Sequence, residues 1–257
     1  MNPFKRLLKW YAPMAFGDGL NRCNQLALRL ARREPWQRLL DVGCGDGELT
    51  AKFLAGASGR RADGIEYVAA LHEAAGRRGI ACRSLDVNLP WTGVGDSAYD
   101  LVLSSQNIEH VHNTRLYLEE CRRCLKPGGR LLVLTENLAS WINIGALLFG
   151  WQPFSTTNID GWSVGNPCVW HADEPKDMAF VEEQKKHGVT GTTGHIRVWT
   201  RAGLADLLKR VGFEDVRLYG RGYLPFWGWL SDCLSALDGR HSHFLVASAR
   251  KPGGAPA

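Results

Sequence analysis

Between Asp41 and Glu48 glycine takes every second position: Asp41-Val42-Gly43-Cys44-Gly45-Asp46-Gly47-Glu48. A glycine turn leaves backbone N–H and C=O groups bare, so a ligand can reach main chain that a side chain would otherwise cover. The spacing excludes two common uses of such a turn. A dinucleotide fingerprint needs glycine three residues after Gly45, where the chain has Glu48, and the third glycine comes one residue early. A phosphate loop needs lysine directly after its last glycine, and the first lysine after Gly47 is Lys52. Asp41, Asp46 and Glu48 would also repel a pyrophosphate. The loop suits a ligand with a positive end and hydroxyl groups.

Such residues must be held by strands. Arg38 to Val42 reads as a short apolar strand running into the loop, and Leu49 to Leu54 as the helix that leaves it. Ala62 to Glu66 reads as a second strand with an acidic end, Val68 to Arg77 as a helix, and Ile80 to Leu85 as a third strand ending at Asp86. Tyr99 to Ser104 is nearly all apolar in its middle, as a strand buried on both faces should be. Leu116 to Leu125 is a helix stopped by Lys126-Pro127-Gly128-Gly129, and Arg130 to Thr135 is a fifth strand. Strands alternating with helices predict a parallel sheet with helices on both faces. The crevice of such a sheet lies outside the carboxyl ends of its strands. Asp41, Glu66, Asp86 and Ser104 should therefore line one edge. Glu66 falls about 20 residues after the last glycine, the interval at which a carboxylate meets ribose hydroxyls. One strand-end acid is ordinarily a solvated loop residue; three after successive strands form a pattern.

The rest of the chain sets limits. Its 257 residues suit one domain with an elaboration, and its 45% hydrophobic and 22% charged composition is that of an ordinary globular protein. The net charge of +5 comes without a Lys/Arg block, so no nucleic-acid partner is expected. Seven scattered cysteines with no signal peptide before them predict a reducing, cytoplasmic setting. Cys121-x-x-Cys124 lies in a helix, with no second pair to complete a metal set, so it reads as core and no metal is expected. No apolar run reaches the length of a membrane span. The first 34 residues read as helices, with Leu20 to Leu30 as a second segment after a basic amphipathic start. The alternation breaks near residue 138. Residues 138–193 are aromatic and then rich in Gly, Pro, Asn and Thr, too long for a connection, and read as an inserted cap. It resumes with a helix over Arg201 to Val211 and strands at Val216 to Tyr219 and Phe244 to Ala249.

The motif Asp41, Gly43, Gly45 and Gly47 resembles that of the class I S-adenosylmethionine-dependent methyltransferases. Gly64-Ile65-Glu66, Leu85-Asp86-Val87, the strand Tyr99 to Ser104 with Ile108-Glu109-His110-Val111, and Leu125 to Gly129 extend the resemblance over residues 36–137; Gly194-His195-Ile196-Arg197 and Leu204 to Phe213 carry it further. It implies an α/β, Rossmann-like, seven-stranded, mostly parallel sheet flanked by helices, with N-terminal helices and an aromatic-rich inserted cap. The chain would be one domain over 1–257: a helical segment (1–35), a cofactor-binding half (36–137), a cap (138–193) and the rest of the sheet (194–250). The cofactor would be S-adenosylmethionine. Gly43, Gly45 and Gly47 would admit its methionyl end, with Asp41 orienting the loop or meeting the amino group. Glu66 would hold the ribose hydroxyls, Asp86 the adenine amine, Val87 a backbone contact, and Ser104, Ser105 or Gln106 would border the methionine.

A hydroxyl acceptor benefits from a general base, and His110 and His195 are the candidates by position, with Glu109, Glu136, His112 and His171 behind them. Aromatic residues Trp141, Trp151, Trp162, Trp170, Trp199, Trp227 and Trp229 cluster in the insertion and around 222–230. They would stack on a small-molecule or glycan acceptor, contact a membrane surface, or form the insertion's own core. O-methylation of a small molecule or lipid-linked sugar is the leading expectation. A regulatory module that kept the cofactor crevice, related to methionine-biosynthesis methyltransferase-like proteins, is the rival. A nicotinamide-dependent oxidoreductase is disfavoured by Glu48.

Overall fold

The computed structural model describes residues 3–56, 58–159, 162–169 and 194–253, with side chains from residue 10 onward. It divides into two compact units. One holds residues 24–135, 202–218 and 246–257; the other holds 1–23, 136–201 and 219–245. Trp170, His171 and the rest of the insertion from residue 170 to 193 lie outside the described residues.

The chain opens with helix α1 (Pro3–Ala31). Strand β1 (Arg38–Val42), helix α2 (Glu48–Leu54), strand β2 (Arg61–Ile65), helix α3 (Ala69–Arg77) and strand β3 (Ala81–Arg83) follow. Strand β4 (Tyr99–Ser105), helix α4 (Thr114–Cys124) and strand β5 (Leu125–Glu136) complete the alternating part. The sheet has seven strands in the order β3-β2-β1-β4-β5-β9-β8, where β8 is Glu214–Arg221 and β9 is Phe244–Arg250. Parallel pairing sets Val42 beside both Ile65 and Ser104, and Ile65 beside Arg83. The carboxyl ends of four strands therefore finish at one level. β9 runs against β5: Asn137 N–H donates to His243 O at one end and Lys251 N–H to Gly129 O at the other. The middle strands are apolar because helices cover both faces. Leu39, Leu40, Val102, Leu103, Leu131 to Leu134 and Phe244 to Val246 are all fully buried.

Two expectations need correction. The N-terminus is one 29-residue helix rather than two, and it continues through Pro13. Proline removes one N–H and costs helix stability, but packing holds the later turns. Phe16 meets Phe244 edge-on at 5.0 Å, and Leu26, Ala27 and Leu30 are buried. The Lys126-Pro127-Gly128-Gly129 stop is not an open turn. Tyr99 pairs with Leu125 and Leu101 with Arg130, so these four residues are taken up as an irregularity inside β5. Helix α4 ends where expected, and its Tyr117, Leu118, Cys121 and Cys124 form one buried face. Both cysteines of Cys121-x-x-Cys124 are core residues.

Asp100 fastens the amino ends of these strands. Its Oδ2 accepts Gln37 N–H at 3.0 Å and Arg38 N–H at 2.9 Å, while Oδ1 pairs with Lys126 Nζ at 2.6 Å. Partial burial works against its charge, but the bonds from Lys126, Arg38 and Gln37 outweigh that and hold its carboxyl below the usual range. Its contribution is therefore full above the ordinary carboxylate range and lost as pH falls through the lowered value. Asp100→Ala should lower stability by about 2 kcal/mol in urea titrations at neutral pH. The gap to the parent should narrow in acid.

Candidate active site

The glycine loop is bent by three left-handed residues: Gly43 at φ 73°, Gly45 at 57° and Gly47 at 80°. Each is glycine for a further reason. A Cβ on Gly43 would lie 2.7 Å from the side chain of Asn107, and one on Gly47 would lie 2.4 Å from Ile80 Cδ1. A Cβ on Gly45 would meet nothing within 4 Å. Open space over bare backbone at Gly45 is the feature that a ligand needs.

The loop is tied to the end of β2. Gly43 N–H and Cys44 N–H both donate to Ile65 O, at 2.8 and 3.1 Å. Glu66 then folds its carboxylate back on the loop: Oε2 accepts Gly45 N–H at 2.9 Å and Oε1 accepts Val68 N–H at 2.8 Å. A carboxylate has about four lone-pair sites, so each oxygen keeps one after these bonds. From the other side Arg78 grips Asp46, with Nε on its carbonyl and Nη2 on its carboxylate, both at 2.9 Å.

Asp41 is buried below the loop. Thr50 Oγ1 donates to its Oδ2 at 2.5 Å, and its Oδ1 has no hydrogen-bond partner among the described residues. Burial raises its pKa to about 7; the Thr50 bond opposes the rise and the Glu66 charge adds to it. Ser104 lies one layer deeper than expected. It is fully buried and accepts Tyr117 Oη at 2.8 Å. Asn107 stands above it, donating to Val42 O and to Tyr117 Oη, both at 3.1 Å. Its neighbour Gln106 adopts φ 49° and carries a buried Nε2 with no partner among the described residues. Asp86 is exposed on the segment after β3, where its Oδ1 accepts Asn88 N–H at 2.9 Å; Val87 O accepts Trp91 Nε1 at 3.4 Å.

His110 ends a short 3₁₀ turn, Ile108–His110, beside the fully buried Glu109, whose Oε2 accepts Thr135 Oγ1 at 2.9 Å. His112 is exposed. In the other unit His195 Nδ1 lies 2.6 Å from Ser155 O and 3.8 Å from Glu136 Oε2. The same Glu136 oxygen is 3.6 Å from His243 Nε2. Burial lowers the His243 pKa, against the pull of Glu136. The sequence reading missed Thr50, Arg78, Asn107 and His243. Of these only Asn107, at the polar end of an apolar strand, left a local signal.

A doubly flanked parallel sheet whose glycine hairpin is answered by a carboxylate from the next strand defines a class: the Rossmann-like methyltransferases. Known proteins agree. The family model described as a methyltransferase domain matches residues 16–218. A ubiquinone biosynthesis O-methyltransferase of Cereibacter sphaeroides is 36% identical over 224 residues, 83% of this chain and 74% of that one. Another, of Nitrobacter winogradskyi, is 28% identical, covering 72% of this chain and 76% of the other. A highly reducing polyketide synthase of Aspergillus aculeatus is 26% identical over 78% of this chain, which spans 8% of that much longer protein. A methyltransferase structure from Thermotoga maritima shares the fold at a TM-score of 0.58 and 17% identity, covering 96% of this chain and 98% of that one. The chain belongs to the class I S-adenosylmethionine-dependent methyltransferases, and S-adenosylmethionine is its cofactor.

The raised pKa of Asp41 makes a checkable statement about stability. A group whose folded pKa exceeds its unfolded one stabilises fully below the unfolded value, near 4, and loses that contribution as pH rises through about 7. Relative to Asp41→Asn, the parent should lose on the order of 2–4 kcal/mol between pH 4 and 8. Thermal melts across that range measure it; parallel curves would remove the neutral carboxyl.

Proposed function

We propose that this methyltransferase transfers a methyl group to a hydroxyl of a small aromatic acceptor, and that residues 36–137 form its cofactor-binding half. The single observation carrying the site assignment is the Glu66–Gly45 bond beside open space over Gly45. The acceptor class rests on the O-methyltransferase relatives. Bound S-adenosylmethionine supplies an activated methyl group. Gly43, Gly45 and Gly47 admit its methionyl end, and Glu66 uses the remaining lone pair on each oxygen for the two ribose hydroxyls. Asp41 gives the loop its shape through Thr50 and faces the amino group. Asp86 and Val87 take the adenine edge, and Ser104, held through Tyr117 and Asn107, borders the methionine moiety. His110 and His195 are the proposed acceptors of the hydroxyl proton. The Ser155 carbonyl beside His195 Nδ1 favours the tautomer with its lone pair on Nε2.

Residues 1–35, 138–193 and 194–250 complete the single catalytic domain, with 138–193 as its cap. Several of its described apolar residues are exposed: Leu148 at 81%, Phe149 at 72% and Trp162 at 63%. That exposure supports contact with a membrane surface or a lipid-tailed acceptor. Among the described residues no helix is long and apolar enough to cross a membrane. Seven free cysteines suit a cytoplasmic setting.

Labelled cofactor incubated with phenols, lipids and lipid-linked sugars tests the acceptor. Transfer to a phenol oxygen is expected; transfer to sugars alone would replace this reading with a glycan one. Glu66→Ala should weaken adenosylhomocysteine binding 10- to 100-fold in calorimetry, as charged hydrogen bonds contribute about 1.5–3 kcal/mol each. An unchanged Kd would remove Glu66 from the site. His110→Ala or His195→Ala should cut kcat by about 100-fold with cofactor affinity intact.

A further inference from the structure

Cys44 sits inside the glycine loop, between Gly43 and Gly45, and is buried. Cys82 is on β3, the edge strand of the sheet, and is half-buried. Their sulfurs lie 3.5 Å apart. Gly64 creates the space in which they meet. It pairs with Cys82 across β2 and β3, and a Cβ there would lie 2.6 Å from Cys44 Sγ and 3.2 Å from Cys82 Sγ. Apolar neighbours Ala75 and Ile80 close the rest of the cluster.

We propose that Cys44 and Cys82 form a peroxide-oxidisable dithiol whose closure to a disulfide weakens cofactor binding. The proposal rests on the cofactor assignment of the glycine loop. The pair is chemically unequal. Their mutual hydrogen bond, burial and the nearby carboxylates of Asp41 and Glu66 keep the proton on Cys44, and the same hydrogen bond pulls the Cys82 thiol below its ordinary range. Cys82, on the edge strand, is therefore the nucleophile. Its thiolate attacks hydrogen peroxide; an S–O bond forms, the O–O bond breaks and hydroxide leaves, taking a proton to become water. The Cys44 sulfur then attacks the Cys82 sulfenic acid. An S–S bond forms, the S–O bond breaks, and the departing hydroxide takes the Cys44 proton. Two thiols and one peroxide give one disulfide and two waters. A dithiol reductant reverses the change.

Closure draws the sulfurs from 3.5 Å to about 2.05 Å. The loop moves with Cys44, because its neighbours are glycines in left-handed conformations and the Gly45 N–H is the group that Glu66 holds. β3 is held by its ladder to β2 and gives less. A displacement of the order of 1 Å at Gly45 disturbs both the open backbone and the carboxylate aimed at the ribose.

The test uses protein carrying Cys233→Ser, which removes the one exposed cysteine. Peroxide treatment followed by peptide mapping should show a Cys44–Cys82 linkage, and calorimetry with adenosylhomocysteine should show Kd rising at least fivefold, restored by dithiothreitol. Adding Cys82→Ser should leave reduced-state binding unchanged and abolish the peroxide effect. Failure of the reduced parent to bind would overturn the cofactor assignment. Normal reduced binding with no such linkage, or with a linkage and equal affinity, would overturn this inference.

Discussion

The Glu66 carboxylate accepts the Gly45 N–H at 2.9 Å and the Val68 N–H at 2.8 Å, and the shape of the glycine loop depends on that pair of bonds. They fix the glycine loop of one strand to the terminus of its neighbour, so bare backbone and a charged acceptor arrive at the same place. The sheet makes the meeting possible. Parallel register brings Val42, Ile65 and Ser104 to one level, so Gly43 and Glu66 leave their strands side by side. Without the register, a carboxylate 21 residues from Gly45 would be a solvated side chain.

Crowding carboxylates around a loop has an electrostatic cost, and the site meets it by treating them differently. Asp41 is fully buried, and burial with the Glu66 charge beside it raises its pKa to about 7 although the Thr50 hydroxyl donates to its carboxylate. Glu66 is answered by two backbone donors, and Asp46 by the guanidinium of Arg78. Three acids within six residues of sequence or one strand of each other thus serve as a structural neutral group, an acceptor and a surface clamp. The left-handed glycines let these demands coexist, because no side chain competes for the space.

The other unit has a different chemistry. Glu136 faces His195 and His243, while Trp141 and Tyr223 donate to Asp238, which also holds His241. Aromatic residues that could have made a core stay at the surface: Trp229 is 75% exposed. The sequence left open whether these rings pack together or face outward. Trp162 and Trp229 are exposed, while Trp141 lies against His241 and Trp227 meets Tyr11 edge-on.

The sequence by itself determined the alternation of strands and helices from residue 38 to 136, the glycine loop and the carboxylate at the end of β2. Each is a local pattern: apolar runs of strand length, alternate glycines, an acid at a fixed interval. The N-terminal apolar segments belong to one helix, α1, because packing of its later turns outweighs the break that Pro13 would favour. Only the tertiary structure decided that Ser104 lies beneath Asn107, that Arg78 grips the loop and that Cys44 meets Cys82 over Gly64. Such contacts join residues 3 to 38 positions apart through register and side-chain direction, and a linear sequence carries neither.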